Sequence, residues 1–275
     1  MQLLVGGDPE IFLKDTRKNM YVSATDFDIP GTKDKAYPVK CGAVQIDGTA
    51  LEINIDPADT AEKFSLHLKT VITEAKGLLP KHIAFDFTPA VHYEPKYYAK
   101  LPAACKVLGC NLDYQATTGQ ANLPPKPIGT MRTGAGHIAL GWTKDACTQD
   151  PVHFHDCRIM SQRLDKYFLT YKSLWDSDLQ RFNLYGFGGA FRPKPFGVEY
   201  RALSNAWVKY PMLHTWVFDS AKWIFEHALN GGEMRPKYLY GGETLAQMHD
   251  LINEIYSSNT FPRFPANFKD EVING

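Results

Sequence analysis

Apolar and polar residues alternate in four well-separated segments: Gly7-Asp8-Pro9-Glu10-Ile11-Phe12, Leu51-Glu52-Ile53-Asn54-Ile55-Asp56, Gly136-His137-Ile138-Ala139-Leu140 and Gly197-Val198-Glu199-Tyr200-Arg201. Successive side chains of a strand point to opposite faces, so this spacing predicts strands with one buried side. The other side would carry Asp8 with Glu10, Glu52 with Asn54 and Asp56, and Glu199 with Arg201. One polar strand face is ordinarily just solvated. Carboxylates, a histidine and a Glu-x-Arg pair on four such faces are a different matter: brought into one sheet, they would line an acidic cleft suited to metal ions.

Between these segments the pattern predicts further elements. The first strand covers about residues 2 to 13, and the Gly/Pro/Asp-rich stretch Lys14 to Lys40, which lacks periodicity, reads as a long loop or lid. Val44 to Asp56 reads as a strand, or a strand pair bent at Asp47-Gly48. Pro57-Ala58-Asp59-Thr60 is a helix start, and Phe64, Leu68, Val71, Ile72 and Ala75 fall at helical spacing within Thr60 to Leu78, leaving Leu66 and His67 on the surface. His82 to Phe87 reads as a strand, and Lys96 to Thr130 as mostly irregular. Asp150-Pro151 opens a helix to Leu174 with Ile159, Leu164, Phe168 and Tyr171 on its apolar stripe. Met212 to Leu229 and Thr244 to Tyr256 read as helices, followed by a Pro/Phe-rich tail, Phe261 to Pro265, that packs onto the body. No repeat or low-complexity linker divides the chain, so residues 1–275 are read as one α+β domain.

At 275 residues the chain can bury a substantial core without disulfides. Lys+Arg and Asp+Glu balance at 30 each, so no global charge steers it toward nucleic acid or an anionic membrane. The N-terminus lacks a signal-peptide pattern and no apolar run reaches membrane-spanning length, which gives the expectation of a cytoplasmic protein without membrane contact. Five cysteines at irregular spacing suit reduced thiols.

Carboxylates gathered from separate strands hold hard divalent cations, which take oxygen ligands and keep positions open for water and phosphate. Asp8, Glu10, Glu52 and Glu199 fit that role. His137 adds a nitrogen ligand for Mg²⁺ or Mn²⁺, and the planar forks of Arg192 and Arg201 suit phosphate or carboxylate oxygens. Neither Gly-x-x-x-x-Gly-Lys-Ser/Thr nor Gly-x-Gly-x-x-Gly occurs, so phosphate binding would fall to metal ions and arginines. Two weaker signals are His153 and Cys157, four apart on a helix in zinc-ligand spacing, and Gly109-Cys110-Asn111, which offers a candidate thiol.

Taken in order, Gly7-Asp8-Pro9-Glu10, Asp47-Gly48-Thr49-Ala50-Leu51-Glu52-Ile53-Asn54, Gly109-Cys110-Asn111-Leu112-Asp113-Tyr114, Arg132-Thr133-Gly134-Ala135-Gly136-His137-Ile138 and Gly189 to Arg201 resemble the phage-type carboxylate-amine ligases (amidoligases) of type 2. These are a divergent branch of the glutamine synthetase and γ-glutamylcysteine ligase fold. The resemblance spans roughly residues 5 to 207. It implies a curved antiparallel sheet, a funnel backed by helices, that holds Mg²⁺ or Mn²⁺ between ATP and substrate. It implies metal ligation by Asp8, Glu10, Glu52, His137 and Glu199, ATP binding by Arg132, Arg192, Lys194 and Arg201, and catalytic roles for Arg192, Glu199 and Arg201. The reaction implied is ATP-dependent amide formation through an acyl-phosphate, between a carboxylate and an amine borne by an amino acid, peptide or modified nucleotide. It also implies a cytoplasmic location, that of the host for a phage-encoded protein, and allows homo-oligomers. Two departures stand out: Asp8 replaces the Glu that relatives often carry, and Ala139 stands where many have a second His. The rival readings are a metal-dependent phosphodiesterase or nuclease, which gathers the same ligand types, and a non-catalytic interaction protein on the ligase fold.

Overall fold

The alternating segments do come together in one sheet. The computed structural model describes residues 2–108, 112–126, 128–229 and 261–273. In chain order these form β1 (Leu4–Gly7), β2 (Glu10–Asp15), β3 (Met20–Val22), β4 (Tyr37–Val39), β5 (Gly42–Asp47), β6 (Ala50–Ala58), α1 (Ala61–Gly77), β7 (Ile83–Asp86), β8 (Ala90–His92), α2 (Pro95–Lys100), β9 (Tyr114–Gln115), β10 (Met131–Thr133), β11 (Ile138–Gly141), α3 (Pro151–Trp175), α4 (Leu179–Leu184), β12 (Ala190–Lys194), β13 (Gly197–Tyr200) and α5 (Pro211–Leu229). The main sheet runs β3-β2-β6-β1-β11-β13-β12-β9, with β5 on β6, β4 on β5 and β7 on β2. Its pairings are antiparallel, and β8 and β10 form a separate small ribbon. The architecture is therefore α+β, a large antiparallel sheet backed by helices.

Register decides which side chains meet. Ile11, Leu13, Leu51, Ile53, Ile138, Leu140, Val198 and Tyr200 all enter the main core, where α1 and α3 cover the sheet and α5 packs against both helices. Their alternate neighbours are left on the opposite face. There Glu10 lies across from Glu52, which in turn lies across from Gln45, while Ala139 lies across from Glu199 and Glu199 from Arg192. On α1, Phe64, Leu68, Val71, Ile72 and Ala75 are buried while Leu66 is exposed and His67 partly so, as the spacing predicts. Burying each of the large apolar side chains contributes about 1.5–3 kcal/mol. Thr60 starts the helix by accepting a hydrogen bond from the Lys63 N–H at 3.3 Å.

Several expectations need correction. The first strand is two, interrupted at Asp8-Pro9, because proline cannot continue the ladder. Lys14 to Lys40 is not a structureless loop: it contains the end of β2, then β3, a short 3₁₀ turn at Ala24–Asp26, and β4. Strands of three residues are too short to display a period. The stretch after Lys96 similarly contains most of α2, started by Glu94, whose carboxylate accepts from the Lys96 and Tyr97 N–H groups. On α3 the buried stripe runs through Met160 rather than Ile159, which is only half-buried. The Arg192-Pro193-Lys194 run lies within β12. Its proline is tolerated because β9 pairs only with Ala190 and Phe191.

The expected hairpin at Asp47-Gly48 is present, with β5 and β6 joined tightly and Gly48 at φ +58. The tail packs as expected: Phe261 stacks on Tyr167, and Phe264 on Tyr171 and Trp175. The helix expected over Thr244 to Tyr256, and Gly109-Cys110-Asn111, lie outside the described residues. No helix among those described is long and apolar enough to cross a membrane.

Candidate metal and phosphate site

The polar face of the sheet opens into a cleft whose lining includes Asp8, Glu10, Asp47, Glu52, Arg132, His137, Tyr185, Arg192 and Arg201. Within it the potential ligands fall into two groups, Asp8 with His137 and Glu199, and Glu10 with Asp47 and Glu52. In each, the ligand atoms lie within 4.8 Å of one another. The first group hangs on the centre of the sheet. Asp8 follows β1, Glu199 is on β13, and His137 lies one residue before β11 rather than inside the strand. The second is built by the register of β2 on β6 and by the hairpin turn, which returns Asp47 beside Glu52.

Electrostatics in the two groups differ. Burial first, and then Asp47, push the Glu10 carboxyl up to about 7. Burial and the charges of Asp8, Glu10 and Asp47 raise Glu52 well above the ordinary carboxylate range. Three carboxylates this close repel one another; Lys33, 2.9 Å from Asp47 Oδ2, offsets part of that charge, and a divalent ion would relieve the rest. Glu10 also accepts the Ala135 N–H at 2.9 Å, fixing its orientation.

In the first group, burial and then Arg201 hold the His137 imidazole well below its usual value, so it is neutral, the ligand form. Its Nδ1 stands 3.7 Å from Asp8 Oδ1 and 3.9 Å from Glu199 Oε1, beyond hydrogen-bonding distance. Among the described residues, His137 Nε2 and Asp8 Oδ1 are both buried without a hydrogen-bond partner. Asp8 Oδ1, unpaired and 3.7 Å from the imidazole Nδ1, fits the donor set of a divalent cation.

Glu199 is already surrounded by cations. Arg201 Nη1 donates to its Oε1, as does Arg192 Nη1 at 3.0 Å, and Lys194 Nζ lies 2.6 Å from Oε2. Arg192 and Arg201 line the cleft, so Glu199 holds the arginines that face it. Arg132 also lines the cleft, but its guanidinium donates to the carbonyls of Met131 and Lys106, each at 2.6 Å, and packs on the Tyr98 ring.

The structure brings together residues that alternation could not single out. Asp47 was legible only as a turn residue. Asp113 anchors Arg201, accepting from Nε at 3.0 Å. Tyr185, carried into the cleft by α4, faces both His137 and Arg201 with its ring. Arg181, fully buried, donates to the carbonyls of Arg201, Ala202 and Leu203, fixing the chain that carries Arg201.

His153 and Cys157 are not a zinc site. His153 Nε2 donates to the Lys194 carbonyl at 2.8 Å and the Cys157 thiol to the Gly197 carbonyl at 3.2 Å, fastening α3 to the β12-β13 hairpin. No further ligand joins them among the described residues. Cys41, Cys105, Cys147 and Cys157 are free thiols. No family model matches the chain, and no curated protein matches it.

Proposed function

We propose that the protein is an ATP-dependent carboxylate-amine ligase, working in a glutamine synthetase-like funnel of the type 2 amidoligase kind. The observation that carries this reading is the pairing of two acidic groups with Arg192 and Arg201 in one cleft on an antiparallel sheet. Each acidic group would hold a divalent ion, Mg²⁺ or Mn²⁺, which when bound neutralises charge on the oxygens of the nucleotide phosphates.

The substrate carboxylate attacks the γ-phosphorus of ATP and ADP leaves; the amine then attacks the acyl carbon and phosphate leaves. Phosphoryl transfer asks a protein mainly for positioning and charge compensation, and it needs no protein nucleophile. Arg192 and Arg201 supply rigid forks for the transferring phosphoryl group, pre-set by Glu199 and Asp113. Lys33, within the segment read as a lid, reaches the cleft rim and pairs with Asp47 at 2.9 Å. Exclusion of water by that segment would protect an acyl-phosphate.

The test is nucleotide turnover. Purified protein with Mg-ATP should release ADP and phosphate only when both a carboxylate and an amine are supplied. Cleavage of DNA or RNA in the absence of nucleotide would overturn the reading in favour of a nuclease.

A further inference from the structure

Beside the acidic cleft lies a second cavity that shares Tyr185 and Arg201 with it. Leu112, Leu123, Leu184 and Phe187 line this annex. Leu112 and Leu123 are 56% and 90% exposed, so two large apolar side chains at its wall lack cover from the described residues. Exposed apolar surface gathered around a concave site marks a binding surface more often than a solvated one.

Two polar groups stand side by side in this wall. The Asn122 N–H donates to the Asp113 carbonyl at 2.9 Å, next to the bridge between Tyr114 and Ala121, so Asp113 and Asn122 are direct antiparallel partners. Both side chains line the annex. Asn122 Nδ2 is buried with no hydrogen-bond partner among the described residues, a donor that requires an acceptor. Asp113 is a buried carboxylate whose Oδ2 accepts from Arg201 Nε, and a carboxylate has a second oxygen with which to meet an ammonium.

We infer that the annex binds an α-amino acid with an apolar side chain. Its ammonium faces Asp113, its carboxylate meets Nδ2 of Asn122, and its side chain lies against Leu112, Leu123 and Phe187. Ammonium and carboxylate sit on one carbon of such a molecule, which matches an acceptor and a donor on directly paired residues. Adenine could also use the two, but position argues against it. One guanidinium, that of Arg201, bridges Asp113 to Glu199. That span is much shorter than the ribose and phosphates between adenine and the γ-phosphate. A group at Asp113 therefore adjoins the reacting centre, where an amine nucleophile belongs.

Binding stands on the annex alone, whereas the role as amine donor rests on the ligase reading. In that role the N–C bond forms at the acyl carbon and the C–O bond to phosphate breaks. Of the two protons the ammonium loses, one leaves with phosphate and the other goes to solvent.

Calorimetric titration of the full chain with L-leucine, glycine, L-glutamate and adenosine tests the site. L-leucine should bind at least about tenfold more tightly than glycine or L-glutamate, since a buried leucine side chain is worth that much or more. Leu123→Asp, at an exposed position where circular dichroism should show an intact fold, should weaken L-leucine by about tenfold. L-leucine binding no tighter than glycine overturns the inference, as does a Leu123→Asp variant that loses adenosine instead. L-leucine binding without leucine-dependent ADP release sustains the annex and counts against the ligase reading. ADP release with another amine, while L-leucine fails to bind, does the reverse.

Discussion

Glu199 and Arg201 form a buried ion pair, the arginine donating through Nη1 to Oε1 of the glutamate two positions earlier. The same glutamate is in contact with Arg192 and Lys194, so one carboxylate offsets three cations. Removing its charge leaves those cations facing one another around a neutral amide. Glu199→Gln is expected to lower unfolding free energy by roughly 3 kcal/mol, the usual scale for a buried pair that loses one partner. Urea denaturation measures it, and an unchanged midpoint would mean that the pair adds nothing to the fold.

Arg201→Lys separates geometry from charge. Lysine preserves the positive charge but has a single point-like head, so it cannot hold Asp113 and Glu199 together while presenting a planar fork to the cleft. Under the ligase reading turnover should fall by on the order of a hundredfold, with a much smaller change in ATP affinity. Equal losses in both, or a loss of stability alone, would make Arg201 a structural residue.

Glu52 predicts opposite effects on stability and on metal binding. It is buried among Asp8, Glu10 and Asp47, whose charges raise its carboxyl well above the ordinary range after burial itself. Glu52→Gln relieves that repulsion, so the metal-free protein should melt at a higher temperature. Divalent-ion affinity should drop by about tenfold or more, because even indirect supports of a metal ligand cost that much. Calorimetry with Mn²⁺ measures the second effect, and wild-type affinity in the variant would remove Glu52 from the ligand set.

The same carboxylates set a pH dependence. Glu10 is pushed up to about 7, so a cation competes with a proton for it below that pH and affinity should rise as pH increases through about 7. In the metal-free protein the sign reverses. The unfolded chain ionises these groups first, so their contribution to stability is full below the ordinary carboxylate range and is lost as pH rises through about 7. Mn²⁺ titrations on either side of that value test it; an affinity independent of pH would show that neither Glu10 nor Glu52 gives up a proton to the ion.

The part of this site that the sequence reveals is the part controlled by period two. Asp8, Glu10, Glu52, His137, Glu199 and Arg201 lie within or beside alternating strands, and burial of Ile11, Ile53, Ile138 and Tyr200 forces their neighbours to the other face. Asp47 ends β5, where the sequence marks the Asp-Gly turn, whereas Asp113 comes from a loop preceding the two-residue β9 and Tyr185 from the end of the short α4. Neither of the last two carries a period. Arg181 is harder still, because nothing local marks an arginine that will be buried to hold three carbonyl groups. The long helices were legible for the opposite reason: α1 and α3 each have a side-chain cap and several turns of apolar stripe, signals that depend only on neighbours in sequence.

Away from the cleft, Asp165 offers a separate test of how the sheet is fastened to its helices. It lies buried on α3, and Tyr200 of β13 donates to its Oδ1 at 2.5 Å, so the pair ties helix to strand through the core. Burial pushes the Asp165 carboxyl up to about 8 despite the hydrogen bond from Tyr200. In the unfolded chain the same carboxyl ionises near the ordinary value. The stability it contributes is therefore full in acid and is lost as pH rises toward about 8, at up to about 1.4 kcal/mol per pH unit. Asp165→Asn keeps an oxygen for the Tyr200 hydroxyl and has no charge to lose. Relative to wild type, the variant should thus gain stability steadily as pH rises from the ordinary carboxylate range to about 8. Urea denaturation across that range measures the difference. Parallel pH profiles for the two proteins would mean that Asp165 ionises as readily inside the fold as outside it, and that this contact between α3 and β13 is wet rather than buried.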